Sequence, residues 1–227
     1  MFINTRLAFL NCYSLMFENT PFSLNPLEFF GLACDCRYLT KKDQAPSFST
    51  HLLPDTTRLS HEYSFAKVAM GWHEEGLSLQ IQVDQAFTRA AYPDLLRGDS
   101  VELFVDTRDL KSAGFNTRFC HHFFFLPQAV DGHLCGEVTH FRTEDNHPLC
   151  DPQALQTQTQ LGRDSYKMKI FIPTQCLYGY DPRQFDRLGF TYRINRVGGQ
   201  SQHFSVVSQD FQVDQQPSLW GSIRLVT

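Results

Sequence analysis

From Val68 to the C-terminus the chain is a succession of short runs in which apolar side chains recur at every second position. A period of two places alternate side chains on opposite faces of a strand, whereas a helix repeats every 3.6 residues. Residues 68–72 and 77–83 flank His73-Glu74-Glu75-Gly76 and read as a hairpin with one face in the core. Gly98-Asp99 opens a strand at residues 100–106, with Val101, Leu103 and Val105 on one face and Glu102, Phe104 and Asp106 on the other. Residues 121–126 follow, and Pro127 is expected to end that strand because it offers no ladder donor. Residues 135–141 form a further strand. Residues 155–161 and 166–172 form a second hairpin around Gly162-Arg163-Asp164-Ser165. Strands are also expected at residues 188–195, 203–208 and 219–226, with Val197-Gly198-Gly199-Gln200 as a turn. Only residues 92–96 and 173–177 read as single helical turns.

Many short strands and few helices predict an all-β chain, a sandwich or barrel. With no linker or repeat in 227 residues, one domain is expected. Within it, residues 65–227 would be the core and residues 1–64 an N-terminal edge or cover. Twenty-one Phe residues suit such a fold, because aromatic rings pack well on pleated surfaces.

Charge and motifs restrict function. The formal net charge is -4 and no basic run stands out, so nucleic-acid binding is not expected. No basic amphipathic helix serves a membrane surface. The apolar stretch at residues 7–17 is interrupted by Asn11 and Cys12 and reads as neither a signal peptide nor a membrane span. Seven cysteines at irregular spacings, Cys12, Cys34, Cys36, Cys120, Cys135, Cys150 and Cys176, suggest reduced thiols and a cytoplasmic setting. P-loop, GxSxG and HExxH patterns are missing, and no enzyme is expected. Cys120-His121-His122 with His133, Cys135, His140, His147 and Cys150 invites a zinc reading, but no CxxC anchors it, and adjacent His121 and His122 face opposite ways on a strand. No metal is therefore assigned to them. Glu102 and Asp106 share a face, as a hydrolase carboxylate pair would, and neighbouring carboxylates on a strand are the ordinary reading.

The run Gly98-Asp99-Ser100-Val101-Glu102-Leu103-Phe104-Val105-Asp106 resembles the signature strand of family 9 carbohydrate-binding modules. The hairpin at residues 69–83, the strand from Tyr166 to Pro173, Leu188-Gly189-Phe190-Thr191-Tyr192-Arg193-Ile194-Asn195, and the closing run at residues 217–225 follow that family's order. The resemblance implies a two-sheet antiparallel β-sandwich of jelly-roll or immunoglobulin-like kind, and a non-catalytic module that recognises a saccharide or polyol in a polar groove. It places Glu102, Arg193, His122 and, more loosely, Gln202 at sugar-contacting positions. It departs from the family where two aromatic rings should sandwich the sugar: Leu96 stands at one position, and Gln212-Val213-Asp214 with nearby Phe211 at the other. Tyr92 and Phe115 are the expected substitutes, with Phe119 and Trp72 as further candidates, while Trp220 resembles a structural ring. The alternative reading is a β-sandwich that has lost sugar binding and serves a protein partner or a structural role. No cofactor is expected. Structural calcium, common in the family, has no Asp-rich loop to hold it here. No sequence feature sets an oligomeric state.

Overall fold

The computed structural model describes residues 32–42, 44–207 and 211–227. The stretch at residues 7–17, weighed above as a leader, and Cys12 lie outside them. The described residues are all-β, with one helical turn at Thr57–Ser60 and four isolated 3-10 turns. The strands are β1 (Ala33–Tyr38), β2 (Ala66–His73), β3 (Gly76–Val83), β4 (Ser100–Asp106), β5 (Cys120–Val130), β6 (His133–Glu137), β7 (Gln156–Leu161), β8 (Tyr166–Pro173), β9 (Arg187–Arg196), β10 (Gln200–His203) and β11 (Gly221–Val226).

They form one hydrogen-bonded path, β6-β5-β4-β9-β11-β1-β2-β3-β8-β7, with β10 added on β9. The expectation of two wholly antiparallel sheets needs correction. β1 runs parallel to both β11 and β2, so the ladder is mixed and continuous. The segment expected at an edge thus contributes a strand inside the order. Its alternating Cys34 and Cys36 point into the core, where cysteine behaves as a small apolar residue.

The path folds its two halves over one core. Val101, Leu103, Phe123 and Ile194 from one half share a cluster with Leu79, Ile81, Met168 and Ile170 from the other. The alternation in residues 77–83 and 166–172 is therefore explained by burial of one face. β2 and β3 pair as the expected hairpin, and β7 and β8 as the second.

Two boundaries differ from expectation for identifiable reasons. β5 runs through Pro127 to Val130, because its last pair with β4 is Phe125 and its ladder to β6 shifts register between Phe125 and Val130. Pro127 therefore sits where a ladder donor is not needed. Asp131 and Gly132, both at positive φ, then close a tight hairpin into β6. β10 spans only Gln200–His203, shorter and earlier than residues 203–208, because the positive-φ pair Gly198-Gly199 starts the return directly after Arg196. Ser208 lies outside the described residues.

The thiol expectation also changes. Cys150 and Cys176 are joined by a disulfide. Cys34, Cys36, Cys120 and Cys135 are free and buried. Burial pushes the Cys34 and Cys120 thiols up to about 12, which leaves them unreactive. No helix among the described residues is long and apolar enough to cross a membrane.

Leu79 sits in the shared core on β3, with β2 and β8 on either side. Leu79→Ala removes buried methyl groups from a site that strands on both sides prevent from collapsing. The expected loss is about 2–5 kcal/mol, read as a lower urea midpoint at unchanged slope.

Candidate ligand-binding face on β4, β5 and β9

β4 is buried along its whole length between β5 and β9, and its two faces carry different chemistry. The inward face is apolar. The outward face carries Ser100, Glu102, Phe104 and Asp106, as the alternation predicts. Register places Glu102 opposite Phe124 on β5 and Arg193 on β9, while His122 pairs across from Phe104. The preceding Gly98-Asp99 sets this strand in place. A Cβ on Gly98 would lie 2.4 Å from the Ala91 backbone nitrogen, so only glycine fits where the two segments cross. Asp99 accepts from the backbone nitrogens of Thr88 and Val197, tying the loop before β4 to the turn after β9.

Glu102 is only 1% exposed, and four hydrogen bonds converge on it. Arg193 grips it with both prongs, Nε to Oε1 at 2.7 Å and Nη2 to Oε2 at 2.8 Å. Asn195 Nδ2 donates to Oε1 at 2.7 Å, and His122 Nε2 lies 2.8 Å from Oε2. A carboxylate has only acceptors, so His122 carries a proton on Nε2. These four bonds fill the acceptor capacity of the carboxylate. Burial alone would raise the Glu102 pKa. Hydrogen bonds from His122 and Arg193 outweigh it and hold the carboxyl well below its ordinary range. Arg193 keeps Nη1, and His122 keeps Nδ1, without a protein partner among the described residues.

Two apolar clusters flank this polar floor. On one side Phe104 packs with Trp220, Val206 and Val213, and the His122 ring stacks on Phe104 at 4.2 Å. Trp220 Nε1 donates to the Val213 carbonyl, which holds the segment before β11 against Phe104. Trp220 is thus the structural ring the sequence suggests. On the other side Leu95, Phe124 and Leu126 pack with Tyr92.

The structure therefore brings Glu102, Arg193 and His122 together, and adds Asn195, Phe104 and Phe124. Asn195 was legible in principle, since it lies two positions from Arg193 on the same strand face. Gln202 does not join them. Its Oε1 accepts from the Phe65 and Ala66 nitrogens at 2.7 and 2.8 Å, and its Nε2 donates to the Ala66 carbonyl, so it splints β10 to the start of β2. It pairs across from Ile194, a core position, and so faces inward. Tyr92 is beside the site but already engaged, stacked on Phe124 at 5.2 Å and on His133 at 4.2 Å. Phe115 is 39% exposed in the β4–β5 loop, next to Asn116, which bonds the His140 and Asp214 carbonyls. Phe119 lies under Arg108, and Trp72 is buried with its indole N–H on the Val226 carbonyl. Leu96 is 47% exposed. Asp106 spends its two oxygens on the Arg108 and Leu110 nitrogens, so it caps the following turn.

His121 faces the other way from His122, as strand geometry requires, and meets His147, which the zinc reading included, together with Glu137, which it did not. His121, Glu137 and His147 converge, with both histidines 2.9 Å from Glu137 Oε1. Burial would raise the Glu137 pKa. Contacts with His121 and His147 that place positive charge beside Oε1 outweigh it and hold the carboxyl at about 2.

The two glutamates give the fold an acid limit. A carboxyl depressed in the folded state contributes stability that is complete above its unfolded pKa and lost as pH falls through its folded one. Stability should therefore decline steadily below pH 4.5, the ordinary value, toward pH 2, in urea melts taken across that range. Glu102→Gln should flatten part of that slope. Removing the cation instead, in Arg193→Met, strands a buried charge and should cost about 3–5 kcal/mol at neutral pH.

The model of the carbohydrate family 9 binding domain-like family matches residues 42–227. Two solved structures of a family 9 carbohydrate binding module from Caldicellulosiruptor kristjanssonii share the fold. The one in complex with cellotriose is 17% identical, with a TM-score of 0.59, and the match covers 86% of this chain and 93% of that one. The one in complex with glucose is 16% identical, with a TM-score of 0.62, covering 85% of this chain and 95% of that one. A search of curated proteins gives no match. The resemblance seen in the strand at residues 98–106 and the order of the strands after it extends, in the family match, over most of the sequence: the chain belongs to the carbohydrate family 9 binding domain-like family.

Proposed function

We propose that the protein is a non-catalytic module that binds a saccharide on the outer face of β4, β5 and β9. The observation that carries this reading is the four-way cluster on Glu102, set between two aromatic banks with donors to spare. Sugar hydroxyls accept hydrogen bonds, and Arg193 Nη1 and His122 Nδ1 are the groups left to supply or share them. Sugar C–H faces are apolar and pack on rings; Phe104 and Phe124 are buried, stacked with His122 and Tyr92, so the stacking surface would come from the half-buried ring of Tyr92. Glu102 orients Arg193 and His122 and has no acceptor left for the ligand. Family membership supports the same chemistry, and the related Caldicellulosiruptor module was solved with cellotriose and with glucose.

The non-catalytic part of the reading rests on the carboxylates. A glycoside hydrolase needs one carboxylic acid held protonated and a second carboxylate placed for attack or for activating water. Glu102 is held ionised and saturated, and Asp106 is committed to backbone nitrogens.

A rival reading as a protein-interaction surface is favoured by one observation: Leu96 exposes an aliphatic side chain where a sugar site would want a free ring. Calorimetry separates the two. Glucose, cellobiose and cellotriose titrated to millimolar concentration should give saturable heats in the native protein. Arg193→Lys keeps a cation but loses the planar fork, and should weaken binding about tenfold, near 1.4 kcal/mol. Absence of heat from every sugar, in protein that remains folded, sinks the saccharide reading.

A further inference from the structure

On the opposite face of β5, we propose that His121, Glu137 and His147 form a closed structural site for one zinc-class divalent cation. The proposal is independent of the sugar reading and concerns the other end of these side-chain rows. All three residues are buried, and one ligand atom from each lies within 4.8 Å of the others. They come from three separate segments: His121 from β5, Glu137 from the end of β6, and His147 from the long connection to β7.

Proton positions around Glu137 Oε1 call for a cation. His147 Nδ1 lies 2.7 Å from the Arg118 carbonyl, which can only accept, so the Nδ1 position carries the proton of a neutral ring. Nε2 then turns a lone pair toward Glu137 Oε1 at 2.9 Å. Two lone pairs at that distance in a buried place call for positive charge between them. His121 Nδ1 points at the same oxygen at 2.9 Å. A cation bound by His147 Nε2, His121 Nδ1 and Glu137 Oε1 supplies that charge.

The surroundings match what metal ligands ordinarily have. A ligating histidine donates its other N–H to a carbonyl or carboxylate, as His147 does to Arg118. The second Glu137 oxygen accepts from the Cys150 nitrogen at 2.7 Å, which leaves Oε1 as the inward donor. Thr139 Oγ1, 2.7 Å from Oε1, borders the fourth position. Two imidazoles and one carboxylate suit zinc; calcium and magnesium prefer all-oxygen sets. Full burial fits a structural ion and excludes an exchangeable substrate position. Such an ion would fasten the β6–β7 connection to β5, in the same region as the Cys150–Cys176 disulfide.

The test uses the full chain. Protein purified without chelator is assayed for metals, then stripped and titrated with zinc against a fluorescent zinc chelator, with thermal melts of each form. The expected result is about one equivalent of zinc, a melting midpoint lowered by stripping, and its recovery with zinc but not with calcium. His147→Gln and Glu137→Gln, checked for folding by near-ultraviolet circular dichroism, should weaken zinc by at least ~10–100-fold. If either variant fails to fold, cobalt substitution of the native protein decides, since histidine-ligated cobalt gives visible bands. Native protein that binds neither metal, with melts indifferent to chelator, overturns the proposal and assigns the positive charge to an imidazolium proton. Zinc held equally by the folded variants overturns it as well.

Discussion

A carboxylate buried in the middle of the central strand β4 is the constraint around which this structure is arranged. Glu102 cannot stay ionised without partners, because burial strongly disfavours a bare charge. The antiparallel register of β9 delivers Arg193 directly opposite, and Asn195 one pleat further on. β5 delivers His122 from the other side. Three strands are thereby fixed in register by side chains as well as by backbone. A slip of one residue in β9 would turn Arg193 into the core and leave Glu102 bare. The polar cluster and the apolar core on the reverse of the same strands enforce one another.

Much of this was legible in the sequence, and the reasons are physical. Strands with one solvated or polar face alternate strictly, so residues 77–83 and 166–172 announce themselves. Glu102 and Arg193 were recoverable because the signature strand and its neighbour fix their faces. β1 was not recoverable, because Ala-Cys-Asp-Cys-Arg-Tyr carries its alternation on cysteine, and a parallel pairing leaves no turn signal beside it. Gln202 misled for a related reason. Its residue type suits a sugar, but its position opposite Ile194 faces inward, and inward polar groups must satisfy the backbone instead. The zinc reading held His121 and His147 among its candidates but missed Glu137, because the three meet only through tertiary contact, with no spacing to single them out.

β5 shows how one strand can serve two sites. His121 and His122 are adjacent, point to opposite faces, and each meets a different buried glutamate. The backbone links the two directly: the His122 nitrogen donates to Thr139 Oγ1, and Thr139 Oγ1 donates to Glu137. The orientation of the His122 ring therefore depends on the β5 backbone, which the cluster behind it holds.

The saturation of Glu102 has a consequence for what this face can recognise. A site whose carboxylate still had open lone pairs would offer both donors and acceptors to a sugar, and could read the direction of each hydroxyl. Here the acceptors are consumed by Arg193, Asn195 and His122, while the guanidinium and imidazole retain spare nitrogen positions. On the saccharide reading proposed above, recognition would rest on oxygen lone pairs of the ligand approaching Arg193, with Phe104 packed beneath the guanidinium and the imidazole. Such a face discriminates by shape and by the placement of acceptor oxygens. On that reading, selectivity among sugars would come from the banks, where Leu96 and the engaged ring of Tyr92 stand in place of an open aromatic sandwich.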